Sequence, residues 1–201
     1  MKRTLLSTSA IAFASLTIAA GPAPEVWNVD VPHTGIEFSV NHFFTPVSGK
    51  FDNYEIDLTF DRENPANSQV AVRIDVNSVN TGNERRDNHL RTEDFFGADR
   101  FGEITFASET VRAVGDDMLI ATGPLTIKDR THQVELPIRI LGVRDIPAEM
   151  QEMLGGVTQI AGFHAELEID RSDYDVGTGS WAANLVVGHE VSIEIAVEAN
   201  R

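Results

Sequence analysis

Apolar and polar residues alternate in many segments of the chain between residue 26 and the C-terminus. This period of two is typical of β-strands that bury one face and expose the other to water. Turn formers separate the segments at residues 61–68, 115–117, 129–130 and 177–180. The apolar positions include Ile36, Phe38, Val40; Tyr54, Ile56, Leu58, Phe60; Val70, Val72, Ile74, Val76; Val134, Leu136, Ile138, Ile140; Phe163, Ala165, Leu167, Ile169; and Val191, Ile193, Ile195, Val197. About eight strands with short connections predict an all-β antiparallel barrel or sandwich.

Several of the predicted strands are long. The segments 68–76, 103–115, 131–142 and 159–171 exceed the usual five or six residues of a strand. Twelve residues at about 3.3 Å each span roughly 40 Å, so strands tilted by about 40° would form a barrel roughly 30 Å tall. Such a barrel suits a long, thin apolar ligand better than a simple filled core.

Two stretches lack the alternation. Residues 84–96 predict a short helix or a structured loop. Residues 145–155 contain Pro147 near their start, apolar residues at helical spacing and a terminal glycine. They predict a short helix over one end of the barrel.

The first 20 residues have the layout of a cleavable secretory signal peptide. Lys2 and Arg3 precede an uncharged stretch that ends in the small residues Ala19 and Ala20. A membrane anchor would need about 20 strongly apolar residues, and this stretch is shorter and contains several serines. We therefore expect cleavage near Ala20, a single domain over residues 21–201, no transmembrane segment in the mature chain, and a periplasmic or otherwise extracytoplasmic location.

Composition narrows the functional classes. The chain of 201 residues has 31 acidic and 16 basic residues and a formal charge of −15, and loss of Lys2 and Arg3 would take this to −17. An acidic surface argues against binding to nucleic acid. The absence of cysteine excludes disulfides and a thiol nucleophile. A hydrophobic content of 42% is too high for a disordered chain.

The six histidines do not form a known zinc pattern, because the closest two are nine residues apart. His132, His164 and His189 are interpreted as surface residues. His42 lies on the same strand face as Phe38, which leaves three interpretations: a hydrogen-bonded core histidine, a polar group presented to a ligand inside the barrel, or a metal ligand.

The sequence Gly177-Thr178-Gly179-Ser180-Trp181-Ala182 matches a loose dinucleotide-binding pattern. Too few residues follow it for a βαβ unit. We interpret it as a turn between two strands.

Positive charge is concentrated in residues 83–94. Arg85, Arg86, Asp87, His89 and Arg91 lie there, directly before Phe95 and Phe96. One interpretation is a surface helix with internal ion pairs, each of which contributes little to stability. The other is a polar mouth that recognises a ligand head group beside an aromatic gate.

Several motifs resemble the YceI-like family of extracytoplasmic, lipocalin-like proteins, in order from Trp27 to the C-terminus. The motifs are Trp27-Asn28-Val29-Asp30-x-x-His33-x-x-Ile36-x-Phe38-x-Val40-x-His42; Val79-Asn80-Thr81-Gly82-Asn83-x-x-Arg86-Asp87-x-His89-Leu90; Asp94-Phe95-Phe96; Ile104-Thr105-Phe106; Gly123-x-Leu125-Thr126-Ile127-Lys128; Ile169-Asp170-Arg171-Ser172-Asp173-Tyr174; and Val187-Gly188-x-Glu190-Val191.

The resemblance implies an eight-stranded antiparallel β-barrel with an elongated apolar cavity and short capping helices. It also implies a polyisoprenoid or isoprenoid-quinone-type amphiphilic lipid as ligand, with no required cofactor and no metal. The segment 145–157 is longer than the corresponding loop of the family and would alter one end of the cavity.

The leading hypothesis is thus a periplasmic carrier or sequestering protein for such a lipid. The expected cavity-lining residues are Phe38, Tyr54, Ile74, Phe106, Leu136 and Phe163, and the expected mouth residues are His42, Arg86, Asp87, His89 and Phe95. One alternative is an enzyme acting on a lipid-like substrate, with His42 or His89 as acid/base beside Asp87. Another is a stress-response interaction module whose barrel is filled. The oligomeric state, a homodimer included, is left open.

Overall fold

The computed structural model describes residues 25–183 and 185–201. The predicted signal peptide, residues 1–20, lies outside the described residues. The elements, in chain order, are β1 (Val26–Val29), β2 (Gly35–His42), β3 (Thr45–Phe51), β4 (Tyr54–Thr59), β5 (Gln69–Asp75), β6 (Val79–Asn80), α1 (Glu84–Arg91), β7 (Glu103–Ala107), β8 (Thr110–Ala113), β9 (Met118–Ile127), β10 (Arg130–Asp145), α2 (Ala148–Gln151), β11 (Gln159–Asp170) and β12 (Val187–Asn200).

Eight antiparallel strands close into a barrel in the order β1-β4-β5-β7-β9-β10-β11-β12. The short β1 joins the two ends, because Trp27 is opposite Leu58 of β4 and Asn28 is opposite Asn200 of β12. The hairpin β2–β3 adds to the first part of β12 beyond this ring. The prediction of an eight-stranded antiparallel barrel with short helices is confirmed.

Aromatic side chains fill one half of the barrel. The ring centroids of Trp27 and Phe60 are 6.0 Å apart, and those of Phe60 and Phe163 are 5.1 Å apart in an edge-to-face arrangement. The indole N–H of Trp27 donates to the carbonyl oxygen of Phe60 at 3.2 Å. All three side chains are buried, so this half resembles an ordinary packed core.

The prediction of one long strand over residues 103–115 is wrong. The segment forms two strands, β7 and β8, which both pair with β9. Phe106 is opposite Leu125 and Thr110 is opposite Thr122, so three residues of one chain segment lie opposite two of the other. This is a β-bulge, and it shifts the inward face by one residue, from Phe106 to Val111. Strict alternation cannot anticipate such a shift.

The two stretches without alternation form helices of different length. The predicted helix in 84–96 is confirmed as α1, whose N-terminus is capped by the Asn83 side chain, which accepts from the Arg86 N–H at 3.1 Å. The predicted helix in 145–155 is only the four-residue α2, and Met153 is 73% exposed. Its apolar residues therefore do not cover the barrel end as predicted, and the anchor of the loop is the buried Ile146.

None of the helices in the described residues is long and apolar enough to cross a membrane.

The loop after β1 carries a pH-dependent contact. The His33 Nδ1 atom lies 2.9 Å from Asp30 Oδ2 and 3.8 Å from Glu198 Oε1. The hydrogen bond to Asp30 is the main reason that the pKa of His33 is raised above 6.5. Protonation therefore favours the folded state, so this contact stabilises fully below about pH 6.5 and is lost as the pH rises through the raised pKa.

We expect the denaturation midpoint of the wild-type protein to exceed that of His33→Gln slightly in mild acid, and the two midpoints to converge as the pH rises through the raised pKa. Urea titrations of both proteins across this interval measure the difference. The difference is small because His33 is exposed. A difference that grew with rising pH would contradict the assignment.

Candidate functional site

The other half of the barrel is hollow. It encloses a cavity of about 670 Å³ whose wall is mostly apolar. Val72, Leu136 and Ile195 also border a second pocket of about 60 Å³, through which the apolar space reaches toward the filled half. The apolar wall includes Ile36, Phe38, Val40, Val47, Phe51, Val72, Ile74, Leu90, Phe96, Ile104, Phe106, Leu125, Ile127, Val134, Leu136, Leu167, Ile169, Val187, Val191, Ile193 and Ile195. This space contradicts the alternative of a filled barrel.

Polar groups gather at one end of the cavity. The segment around α1 contributes Thr81, Asn83, Arg85, Arg86 and His89. The end of β2 contributes His42, and Arg171 follows β11. Glu37 is the one carboxylate among the lining residues that the structure describes. The cavity is thus an apolar chamber with a mainly cationic mouth.

The turn before α1 is held by a compact network. The Arg86 side chain donates through Nε to the Thr81 hydroxyl at 2.7 Å and through Nη2 to the Thr81 carbonyl at 2.8 Å. The buried Asp87 carboxylate accepts from the Thr81 N–H at 2.9 Å and from the Thr81 hydroxyl. These bonds fix the position of Arg86 at the cavity wall, which limits the entropy lost when a ligand contacts it.

Three rings form an aromatic cluster at the mouth. The ring centroid of His89 is 5.1 Å from that of Phe95 and 5.1 Å from that of Trp181, and both pairs are edge-to-face. Phe95 and Trp181 are 5.7 Å apart. The His89 Nε2 atom lies 3.2 Å from Asp94 Oδ2, which fixes the orientation of the ring. The cluster narrows the mouth and presents both apolar and polar edges to the cavity.

A buried arginine holds the loop that closes the mouth. Arg171 is 4% exposed, and its guanidinium donates to the carbonyl oxygens of five residues at 2.7–3.0 Å. The acceptors are Val176, Gly177, Trp181, Val187 and Gly188. Burial lowers the pKa of Arg171, yet an arginine remains charged at neutral pH. The mouth therefore has a fixed positive charge that is stabilised by backbone carbonyl dipoles and by the neighbouring Asp170 carboxylate.

Arg171 and Trp181 also line the cavity, although the sequence pattern did not predict them as site residues. The strand parity contained a signal for Arg171, because Leu167, Ile169 and Arg171 lie on one face of β11 and its continuation. An arginine in line with an inward apolar row predicts a buried charge that needs partners. Trp181 lies in the Gly-rich turn of residues 177–182, where no periodicity reports on burial.

Eight of the eleven predicted site residues line the cavity, and three do not. Those that do are Phe38, His42, Ile74, Arg86, His89, Phe95, Phe106 and Leu136. Contact of these residues with a ligand stays a prediction.

Tyr54 and Phe163 were predicted to line the cavity and Asp87 to lie at its mouth. The structure places all three elsewhere. The Tyr54 hydroxyl donates to the Thr34 carbonyl at 2.6 Å, and burial raises its pKa. Phe163 borders the small second pocket, against Phe60. Asp87 faces Thr81 below α1 and not the cavity. For the strands of Tyr54 and Phe163, parity identified the apolar face, but it could not show which part of the barrel is hollow.

The histidine interpretations are also resolved in part. His42 is exposed at the end of β2, so the interpretation as a core histidine is wrong. His164 Nε2 lies 3.0 Å from Glu194 Oε1 on the outer face of the sheet. The nearest carboxylate of His89 is Asp94 and not Asp87, so the acid–base pair of the enzyme alternative does not form.

One cluster of potential metal ligands occurs among the described residues, and it lies outside the cavity. It consists of Asp30, His33 and Glu198, whose ligand atoms are within 4.8 Å of one another. None of these residues lines the cavity, and the ion pairs of His33 account for their proximity.

Comparisons with known proteins agree with the fold. The profile of the YceI-like domain matches residues 27–199. Protein YceI of Escherichia coli is 34% identical over 198 residues, which cover 96% of this chain and 97% of that protein. The crystal structure of BcnA from Burkholderia cenocepacia superposes with a TM-score of 0.75 at 25% identity, over 85% of this chain and 99% of BcnA.

A further neighbour shares the fold at lower identity. It is described as a polyisoprenoid-binding domain from Saccharophagus degradans implicated in plant cell wall breakdown. It has a TM-score of 0.62 and 16% identity and covers 87% of this chain and 97% of that domain.

Proposed function

Because this chain belongs to the YceI-like family, we propose that it binds a long-chain polyisoprenoid or quinone-type amphiphilic lipid in its barrel cavity. The observation that carries the proposal is the polarity of the cavity, whose wall is mostly apolar and whose cationic side chains gather at its mouth. Its volume of about 670 Å³ lies within the range of about 300–1,000 Å³ typical of small-molecule sites.

The two parts of the cavity have different roles in this proposal. Burial of one isoprene unit contributes at most about 3–4 kcal/mol, at roughly 0.8 kcal/mol per carbon. The loss of ligand freedom reduces this gain substantially. The length of apolar contact therefore determines affinity, while Arg85, Arg86 and His89 at the mouth orient an oxygen-rich head group.

The molecule acts in this proposal as a carrier or a sequestering protein in the periplasm. The layout of residues 1–20 supports export. An enzymatic role is disfavoured because neither His42 nor His89 is paired with Asp87. Binding without turnover fits a cavity in which the polar groups are held by structural hydrogen bonds.

Native mass spectrometry of the protein purified from its own host tests the proposal. We expect a bound species whose mass and fragments identify a prenyl lipid. A protein that contains no such lipid, and that takes up none when a prenyl quinone or a prenyl alcohol is added, would remove the basis of the proposal.

A substitution that blocks the cavity sharpens the test. Ile193 lines the cavity from β12, whereas the adjacent Ser192 is exposed on the outer face of the strand. In Ile193→Trp the indole occupies space that the lipid needs, so we expect at least a roughly tenfold weaker retention of the lipid. Ser192→Trp adds the same group outside and should bind as the wild-type protein does. Equal retention by both variants would show that the lipid lies elsewhere.

A further inference from the structure

The hairpin turn between β2 and β3 exposes two consecutive phenylalanines. Phe44 is 97% exposed and Phe43 is 53% exposed, and the neighbouring loop adds Leu185, which is 76% exposed. Large apolar side chains are costly in water, and a local group of them marks an interaction surface. We call Phe43, Phe44 and Leu185 the apolar tip.

The turn holds the apolar tip in a fixed and unfavourable conformation. Phe43 has a φ of 53°, in the left-handed region that a side chain disfavours, and it occupies the first position of a two-residue turn, where glycine is usual. The pair His42–Thr45 closes the turn, and the Phe43 N–H donates to the Val186 carbonyl at 2.8 Å. The loop that carries Leu185 is thereby tied to the hairpin, so the tip is a single unit.

The apolar tip stands next to the mouth of the cavity. His42 and Val47, on either side of the turn, line the cavity, and so does Val187, two residues after Leu185. The apolar tip is thus within one to three residues, along the chain, of positions that line the cavity. Any molecule that leaves the chamber through this side passes the tip.

We propose that the apolar tip inserts into the surface of a lipid bilayer and places the cavity mouth against the acyl chains. This inference rests on the proposed function for its purpose, because a water-insoluble ligand needs a path that avoids water. Three side chains are too few for a stable contact with a second copy, which needs roughly 1,000 Å² or more. They suffice for a reversible membrane contact, in which each buried carbon adds to the affinity.

The charge distribution indicates how the membrane is contacted. The chain has a formal charge of −15, so long-range attraction to an anionic surface is absent. Arg85 and Arg86 lie at the cavity mouth and are suited to contact the phosphates of lipid head groups locally. Contact is therefore driven by apolar insertion, and it should occur on uncharged membranes and withstand high salt.

Partitioning onto phosphatidylcholine vesicles tests the proposal. In Phe43→Ser/Phe44→Ser, we expect binding to fall by roughly tenfold to a hundredfold. The matched control is Met153→Ser/Leu154→Ser, which removes two exposed apolar residues from the loop between β10 and β11, at the end of those strands away from Arg171. The control should bind vesicles as the wild-type protein does.

Fluorescence locates the contact. Trp27 and Trp181 emit in every variant, so the wild-type protein is the reference. When vesicles are added, Phe44→Trp should show a larger blue shift than the wild-type protein, and Met153→Trp should not. The proposal is overturned if the wild-type protein does not bind vesicles, if only the control substitutions weaken binding, or if the Phe43/Phe44 variant instead loses a concentration-dependent dimer in sedimentation.

Retention of the lipid in the cavity is measured separately by native mass spectrometry. Neither Phe43 nor Phe44 lines the cavity, so loss of vesicle binding with lipid retained separates this inference from the proposed function.

Discussion

Replacement of Arg171 by methionine is expected to lower the free energy of unfolding by about 3–5 kcal/mol. The substitution keeps most of the apolar stem but removes every donor that now reaches the five carbonyl oxygens between Val176 and Gly188. Buried acceptors without partners are costly, and water from the cavity can satisfy only some of them. Urea denaturation monitored by circular dichroism measures the loss.

Two further variants show whether the guanidinium network is responsible. Arg171→Lys has three donors in a different geometry and should lose roughly half as much stability. Arg112→Met is the matched control, because Arg112 is exposed and makes one ion pair with Glu135 at 3.3 Å, and we expect a change below about 1 kcal/mol. If Arg171→Met and Arg112→Met lost similar amounts, the network would not be what holds the loop.

The second large effect is expected at Gly123. A Cβ atom at this position would overlap the Ala107 carbonyl oxygen and lie 3.0 Å from the Ser108 Cα atom. Both contacts are with backbone at the bulge between β7 and β8, where no side chain can move aside. Gly123→Ala should therefore cost at least about 3 kcal/mol or prevent folding, as the midpoint of urea denaturation and the yield of folded protein would show.

The control for this variant is Gly142→Ala. Gly142 also lies within a strand, at an irregular position of β10, but a Cβ atom there would meet nothing within 4 Å. Because alanine restricts the unfolded chain more than glycine does, the control should be neutral or slightly stabilising. A small effect of Gly123→Ala would mean that the bulge relaxes and that the close contact is not essential.

Period-two alternation predicted most of the fold because each strand meets water on one face and an apolar interior on the other. It failed at the bulge, where the extra residue between Phe106 and Val111 reverses the parity. The helical spacing of Met150, Met153 and Leu154 was a separate signal, and its prediction of a helix that covers the barrel end was wrong, because these residues are exposed. In a loop, no neighbouring strand reports whether an apolar residue is covered.

The sequence pattern predicted which side chains point into the barrel, but not which part of the barrel along its axis is hollow. Phe38, Phe106 and Phe163 all point inward, yet only the first two border the large cavity. Phe163 differs because Phe60 packs edge-to-face against it, a contact between residues about a hundred positions apart. Asp87 is a second example. Its charge suggested contact with a ligand, but its carboxylate accepts the hydrogen bond of the Thr81 N–H.

The two halves of the barrel have different tasks: the aromatic half stabilises the fold, and the hollow half provides space for a ligand. Trp27, Phe60 and Phe163 supply dense packing at one end, so the strands that continue past them need fewer interior contacts at the other end. The wall residues of the open end are then free to vary in size, provided that the Arg171 network that holds the loop is kept. A single barrel design can in this way serve contents of different length while its architecture stays the same.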